Sequence, residues 1–101
     1  MKLTVIIPVY NEAATLREII RRVQDTGLVT EILCIDDGST DDSRSILSEL
    51  VGKGGVRVIF HERNQGKGAA VRTGIRAATG DYILIQDADL EYDPRDYKSL
   101  I

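Results

Sequence analysis

Residues 83–94 read Ile83-Leu84-Ile85-Gln86-Asp87-Ala88-Asp89-Leu90-Glu91-Tyr92-Asp93-Pro94, and the rest of the chain becomes intelligible from this stretch. An apolar run stops abruptly, and three carboxylates follow at alternate positions, Asp87, Asp89 and Glu91. Strand geometry sends side chains i and i+2 to the same face. If the extended conformation persists briefly past the strand end, these carboxylates converge on one point. Like charges so close repel and raise one another's pKa unless a cation stands between them. An oxygen-only set on a loop suits Mg²⁺ or Mn²⁺, which keep waters and take further ligands from a substrate phosphate. The competing reading is a solvated acidic loop capping a helix, with Asp93 as N-cap and Pro94 at N1. That accounts for Asp93 and Pro94 but leaves Asp87 and Asp89 unexplained.

A chain of 101 residues holds one small domain with a core. Its apolar and charged fractions are ordinary for a globular protein, and a net charge of -3 makes no case for bulk nucleic-acid binding. No apolar stretch approaches a membrane span, and Met1-Lys2 leads directly into a strand rather than a signal-peptide core. The single cysteine, Cys34, lies within Ile32-Leu33-Cys34-Ile35, so an intrachain disulfide is impossible and a buried packing role is expected. These features point to a reducing, cytoplasmic setting.

Working back from the acidic stretch, Tyr82 to Ile85 is the fourth of four strands. Leu3-Thr4-Val5-Ile6-Ile7-Pro8 is a β-branched run ended by proline, expected to be a strand buried on both faces. Leu16, Ile19, Ile20 and Val23 repeat at the spacing of an amphipathic helix, closed near Gly27. Glu31 to Ile35 is a second strand, and Asp36 to Ser43 a turn whose last aspartates suit the start of a helix. That helix places Ile46, Leu47, Leu50 and Val51 on one face and ends at Gly52 to Gly55. Val56 to Phe60 is the third strand. The following helix is rich in small residues (Ala69, Ala70, Gly74, Ala77 and Ala78), which would let it approach the sheet closely. A last helix is expected from Pro94.

The order β-α-β-α-β-α-β-α predicts an α/β fold, a Rossmann-like parallel sheet flanked by helices on both faces. In such sheets ligands bind beyond the carboxyl ends of the strands, at the topological switch point. The polar loops all follow strands and so share that edge: Tyr10-Asn11-Glu12, Asp36-Asp37-Gly38, Asn64 to Gly68, and Asp87 to Glu91. The sequence stops at Ile101, one or two turns into the expected last helix, which reads as the N-terminal portion of a longer protein. An apolar surface left uncovered there would promote a homodimer or domain swapping.

The first strand–helix loop has no glycine, so it is not the dinucleotide-binding fingerprint, and Gly66-Lys67-Gly68 lacks the spacing of a P-loop. The latter is a turn opening a helix whose N–H groups could meet a phosphate, with Lys67 close by, or else a structural turn with a solvated lysine. Asp36 and Asp37 end a strand and point to opposite sides. A carboxylate there can accept hydrogen bonds from a base or ribose, or hold the turn before Gly38. Tyr10 could stack on a base or simply cover the first helix. His61 and Phe60 look like strand-end packing.

Assembled, these segments resemble the family 2 glycosyltransferases of the GT-A fold, with the dolichyl- or polyprenyl-phosphate hexose synthases as the most similar branch. The resemblance runs through Val5-Ile6-Ile7-Pro8-Val9-Tyr10-Asn11-Glu12, Ile35-Asp36-Asp37-Gly38-Ser39-Thr40-Asp41, Asn64-Gln65-Gly66-Lys67-Gly68-Ala69-Ala70-Val71 and Asp87-Ala88-Asp89. It implies that residues 1–101 are the nucleotide-sugar-binding, N-terminal half of a GT-A domain. Pro8, Tyr10, Glu12 and Asp37 would line the nucleoside pocket, with Asp37 reading the base's N–H, and Asn64 and Lys67 would lie near sugar and phosphate. Asp87 and Asp89 match the family's Asp-x-Asp element, in which carboxylates hold Mg²⁺ or Mn²⁺ on the donor diphosphate. Glu91 stands where mannosyl-transferring relatives often carry glutamine, which puts its metal role in doubt.

The implied reaction is inverting displacement at the anomeric carbon of a nucleotide-diphosphate sugar, of the GDP-mannose or UDP-glucose type. The implied acceptor is a lipid phosphate or a saccharide, the former favoured by the branch, and the parent would work at the cytoplasmic face of a membrane in building the cell envelope. Acceptor site and catalytic base lie downstream of the Asp-x-Asp element in this family, so no residue here is assigned as catalytic. Three rival readings are a sugar-nucleotidyltransferase-like enzyme, a receiver-like module and a non-catalytic nucleotide-binding or assembly fragment. The first would show a Gly- and basic-rich first loop, and the second an acidic end to the first strand, where Pro8 stands.

Overall fold

The computed structural model describes residues 2–89 and Pro94. Along the chain come β1 (Leu3–Val9), α1 (Leu16–Asp25), β2 (Glu31–Asp36), α2 (Ser43–Leu50), β3 (Val56–Phe60), α3 (Lys67–Ala77) and β4 (Tyr82–Ile85). The four strands form one sheet in the order β3-β2-β1-β4, and every pair is parallel. The helix expected from Pro94, its cap Asp93 and the carboxylate Glu91 fall outside the described residues, apart from Pro94 itself.

β1 lies at the centre and is buried on both faces, which explains its unbroken apolar run. Leu3, Val5 and Ile7 join Leu16, Ile19, Ile20 and Val23 of α1 and Leu47 of α2 in the larger core. Burial of each such side chain contributes about 1.5–3 kcal/mol. On the opposite face Ile6, Leu33 and Ile35 pack with Ala70 of α3. The close approach expected of a small-residue helix is real. A Cβ on Gly74 would stand 2.6 Å from Ile6 Cγ2, so alanine there would collide with the sheet. Cys34 is wholly buried, and burial pushes its thiol up to about 12, so it packs rather than reacts.

One expectation needs correction. Val51 does not sit on the buried face of α2; the backbone leaves helical geometry at that residue (φ −53°, ψ 129°), and its side chain is exposed. β4 is less covered than β1. As the edge strand it leaves Tyr82, Ile83 and Ile85 exposed, and Ile75 of α3 is exposed as well.

Position in the sheet also opens the site. Pro8 cannot donate a backbone hydrogen bond. The ladder between β1 and β4 ends with the Gln86 N–H donating to the Ile6 carbonyl at 2.9 Å, and the next rung would have needed a donor at Pro8. β4 therefore peels away where Asp87 begins. β1 and β4 are also neighbours whose preceding and following connections run to opposite sides of the sheet, which is the switch point of this topology.

Candidate active site

A cleft of about 430 Å³ lies at this switch point, lined by Pro8, Tyr10, Glu12, Asn64, Lys67, Asp87, Ala88 and Asp89. Its volume is in the range of small-ligand sites. All the expected nucleotide and metal residues among those described meet there except Asp37. A second hollow, of about 540 Å³, runs along α1 away from the strand ends. Its charges are paired within the helix, Glu18 with Arg21 and Arg22, and Arg21 with Asp25.

The wall carrying Tyr10 and Glu12 is built by a zipper between the first two loops. Asn11 adopts a left-handed conformation (φ 52°), which asparagine tolerates better than most residues. Its side-chain oxygen accepts the Thr40 N–H at 2.7 Å and the Asp41 N–H at 3.2 Å. In return Ser39 Oγ accepts the Asn11 N–H, and Ser43 Oγ the Glu12 N–H, both at 3.0 Å. Asp41 accepts the Ala13 N–H at 3.2 Å and the Ser43 N–H at 2.8 Å, so Asp41, rather than Asp42, serves the start of α2. Asp36 holds its own turn, one of the two roles open to it, with Oδ2 accepting the Ser39 N–H at 3.2 Å.

Asp37 departs from expectation. It is buried and turned away from the cleft, toward the loop after β3. Its Oδ1 meets His61 Nδ1 at 2.9 Å and accepts the Gln65 N–H at 2.9 Å, while Oδ2 accepts the Gly66 N–H at 2.9 Å. Burial alone would raise its pKa, but the hydrogen bonds from Gln65, His61 and Gly66 outweigh it and hold the carboxyl below the usual aspartate range. Here Asp37 positions the loop rather than facing a base. The same geometry corrects the phosphate reading in part, because the Gly66 N–H is already taken. His61, expected only to pack, is a buried connector whose Nε2 lies 2.9 Å from Thr73 Oγ1 on α3. Gly38 lets the two loops close. At φ 76° it sits under the backbone of Arg63 and Asn64, and a Cβ would stand 2.5 Å from the Asn64 nitrogen.

Across the cleft, Lys67 Nζ pairs with Asp87 Oδ1. Thr15 Oγ1 donates to the Ala88 carbonyl, tying the acidic loop to the turn before α1. Buried Gln86 donates to the Asp87 carbonyl at 3.1 Å. Burial, followed by the charge of Asp89, raises the pKa of Glu12, with Asp41 and Asp87 adding to it. Among the described residues no three acidic, histidine or cysteine side chains come together as a ready metal cage. What the cleft offers is an electronegative rim of carboxylate oxygens. That fits a hard cation held by one or two protein carboxylates and completed by ligand phosphates.

Against known proteins, residues 4–101 match the model for Glycosyl transferase family 2. The undecaprenyl-phosphate 4-deoxy-4-formamido-L-arabinose transferase of Klebsiella pneumoniae (strain 342) is 42% identical over 107 residues, covering 99% of this chain and 32% of that protein. The dolichol-phosphate mannosyltransferase of Pyrococcus furiosus is 39% identical over 103 residues, covering 100% of this chain and 29% of that protein. Among solved structures, S. aureus TarS 1-349 in complex with UDP-GlcNAc superposes with a TM-score of 0.84 at 26% identity, over 99% of this chain and 30% of that one. The mannosyltransferase PcManGT from Pyrobaculum calidifontis, in complex with GDP-Man and Mn²⁺, gives 0.83 at 29% identity, over 97% and 30%. The chain spans about a third of the length of the curated relatives it matches. With the parallel sheet and its switch-point cleft in the GT-A arrangement, this chain belongs to glycosyl transferase family 2.

Proposed function

We propose that residues 1–101 form the donor-binding portion of a glycosyltransferase that moves a hexose from a nucleotide-diphosphate sugar to a polyprenyl or dolichyl phosphate. The observation that carries the reading is the cleft at the β1–β4 switch point, where a tyrosine, an asparagine, a lysine and three carboxylates meet. The names of the relatives, which act on undecaprenyl phosphate and dolichol phosphate, support the lipid-phosphate acceptor. UDP-GlcNAc and GDP-Man in the neighbours support a nucleotide-sugar donor. Work at the cytoplasmic face of a membrane is part of the same proposal.

In this reading Tyr10 and Pro8 offer the nucleoside a flat, largely apolar wall. Asn64 supplies a neutral hydrogen-bonding group, and Lys67 a cation for phosphate oxygens. Asp87 and Asp89 would hold Mg²⁺ or Mn²⁺, with Glu12 adding to the negative field. When bound, the cation supplies Lewis-acid neutralisation of the departing nucleoside diphosphate. The group that activates the acceptor is expected outside these residues, so the chain alone should bind donor without turnover. Calorimetric titration with UDP and GDP, each with and without Mn²⁺, tests this. Metal-dependent binding of one nucleotide, lost in the Asp87→Ala, Asp89→Ala double variant, is the expected result. A folded chain that binds neither nucleotide would overturn it.

A further inference from the structure

Lys67 is the single cationic side chain among the described residues lining the cleft, and it is paired with one of the two carboxylates of the Asp-x-Asp element. We propose that Lys67 is an exchangeable internal counter-cation. It rests on Asp87 in the absence of ligand and passes to the donor's diphosphate when a divalent cation takes its place, so that cation and nucleotide bind interdependently. This rests on the donor-binding reading above and adds an order of events to it.

The geometry favours exchange over a fixed structural pair. Lys67 is the first residue of α3, its side chain is 62% exposed, and that of Asp87 is 26% exposed. A pair so open to water contributes little to the fold and can be given up cheaply. The lysine ammonium sits on a flexible four-carbon stem, so it can leave one oxygen for another in the same cleft without backbone movement. The backbone around it is held independently, because Asp37 fixes Gln65 and Gly66 from below.

Charge then makes each ligand depend on the other. A divalent cation arriving alone must displace the ammonium from Asp87. A nucleoside diphosphate arriving alone meets Glu12, Asp87 and Asp89 along the same cleft. Arriving together, the cation satisfies the carboxylates and the freed ammonium satisfies the phosphates. By linkage, whatever factor the nucleotide adds to metal affinity, the metal must add to nucleotide affinity.

The test is Mn²⁺ binding to the 101-residue chain, followed by the electron-spin signal of free Mn²⁺ and by calorimetry, without nucleotide and with UDP or GDP. The same is done for Lys67→Met and Lys67→Arg, with far-ultraviolet circular dichroism to confirm folding. Lys67→Met should bind Mn²⁺ alone about fivefold more tightly, the scale of an exposed ion pair removed. It should bind nucleotide in the presence of Mn²⁺ about tenfold more weakly, having lost one charge-assisted contact. The mutual enhancement should shrink accordingly, and Lys67→Arg should restore weak metal-only binding. An unchanged or weakened Mn²⁺-only affinity in Lys67→Met, with nucleotide binding intact in the native chain, overturns the exchange while leaving the donor site standing. A native chain that binds Mn²⁺ neither alone nor with either nucleotide overturns both.

Discussion

Replacing Asp37 by asparagine separates a loop clasp from a base reader. In the native chain its two oxygens take two backbone N–H donors and the His61 ring, all at 2.9 Å. Asparagine keeps one oxygen, enough for Gln65 and His61, but turns an amide donor toward the Gly66 N–H. A buried donor left unsatisfied costs about 1–3 kcal/mol. For a domain of this size that is a fall in Tm of roughly 4–20 °C. Two readouts locate the effect. Amide exchange should accelerate at Gln65 and Gly66 before the core strands are affected. Affinity for UDP and GDP should fall by a similar factor, because the loop carrying Asn64 and Lys67 loosens under either base. The pH dependence has a definite sign. A carboxyl held below its ordinary value contributes stability that is fully present above about pH 4 and lost as pH falls through the lower folded value. The Asp37→Asn deficit should therefore shrink in acid. The clasp account is refuted if asparagine leaves Tm and both amides unchanged, or if it abolishes binding of one base alone while the loop stays protected.

Gly38→Ala should be more damaging, by about 2–4 kcal/mol, because a left-handed φ and a clash with the Asn64 backbone act together; urea unfolding would show it, and an unchanged midpoint would contradict the packing described. At the opposite end of the sheet, Glu31 is buried and accepts from Thr4, Arg57 and Thr79. Burial alone would raise its pKa, and these partners outweigh it. Glu31→Gln should cost about 1–3 kcal/mol at pH 7, with the difference from the native chain undiminished down to the ordinary glutamate range and lost as pH falls through the lower folded value. Ile83→Lys with Ile85→Lys should suppress concentration-dependent self-association in sedimentation, since both side chains lie exposed on the edge strand; identical sedimentation of the two chains would dismiss that edge as a contact surface.

What was legible in the sequence depends on range. The single apolar face of α1, the buried run of β1 and the small-residue approach of α3 repeat at short spacing, and each appears in the structure, with β1 running on through Pro8 to Val9 instead of ending at the proline. Val51 failed because it continues the helical period one residue beyond the point where the backbone stops being helical. The role of Asp37 was hidden for a different reason. Its partners lie 24, 28 and 29 residues away, across a β-α-β crossover, and nothing local distinguishes a carboxylate that holds a loop from one that faces a ligand. The Asn11 zipper was similarly invisible, although a loop dense in serine, threonine and aspartate directly after a strand was a signal that some backbone needed acceptors. The meeting of Tyr10, Glu12, Asn64, Lys67, Asp87 and Asp89 needed no side-chain knowledge, because parallel topology alone brings the loops after successive strands to one edge.

The most direct test is to locate Mn²⁺ itself, by paramagnetic broadening of backbone amide signals in the presence of UDP or GDP. The account predicts broadening centred on Tyr10 to Glu12, Lys67 and Asp87 to Asp89, sparing Glu18 to Asp25 and abolished by Asp87→Ala with Asp89→Ala. Broadening centred on α1, or persisting undiminished in the double variant, would contradict it.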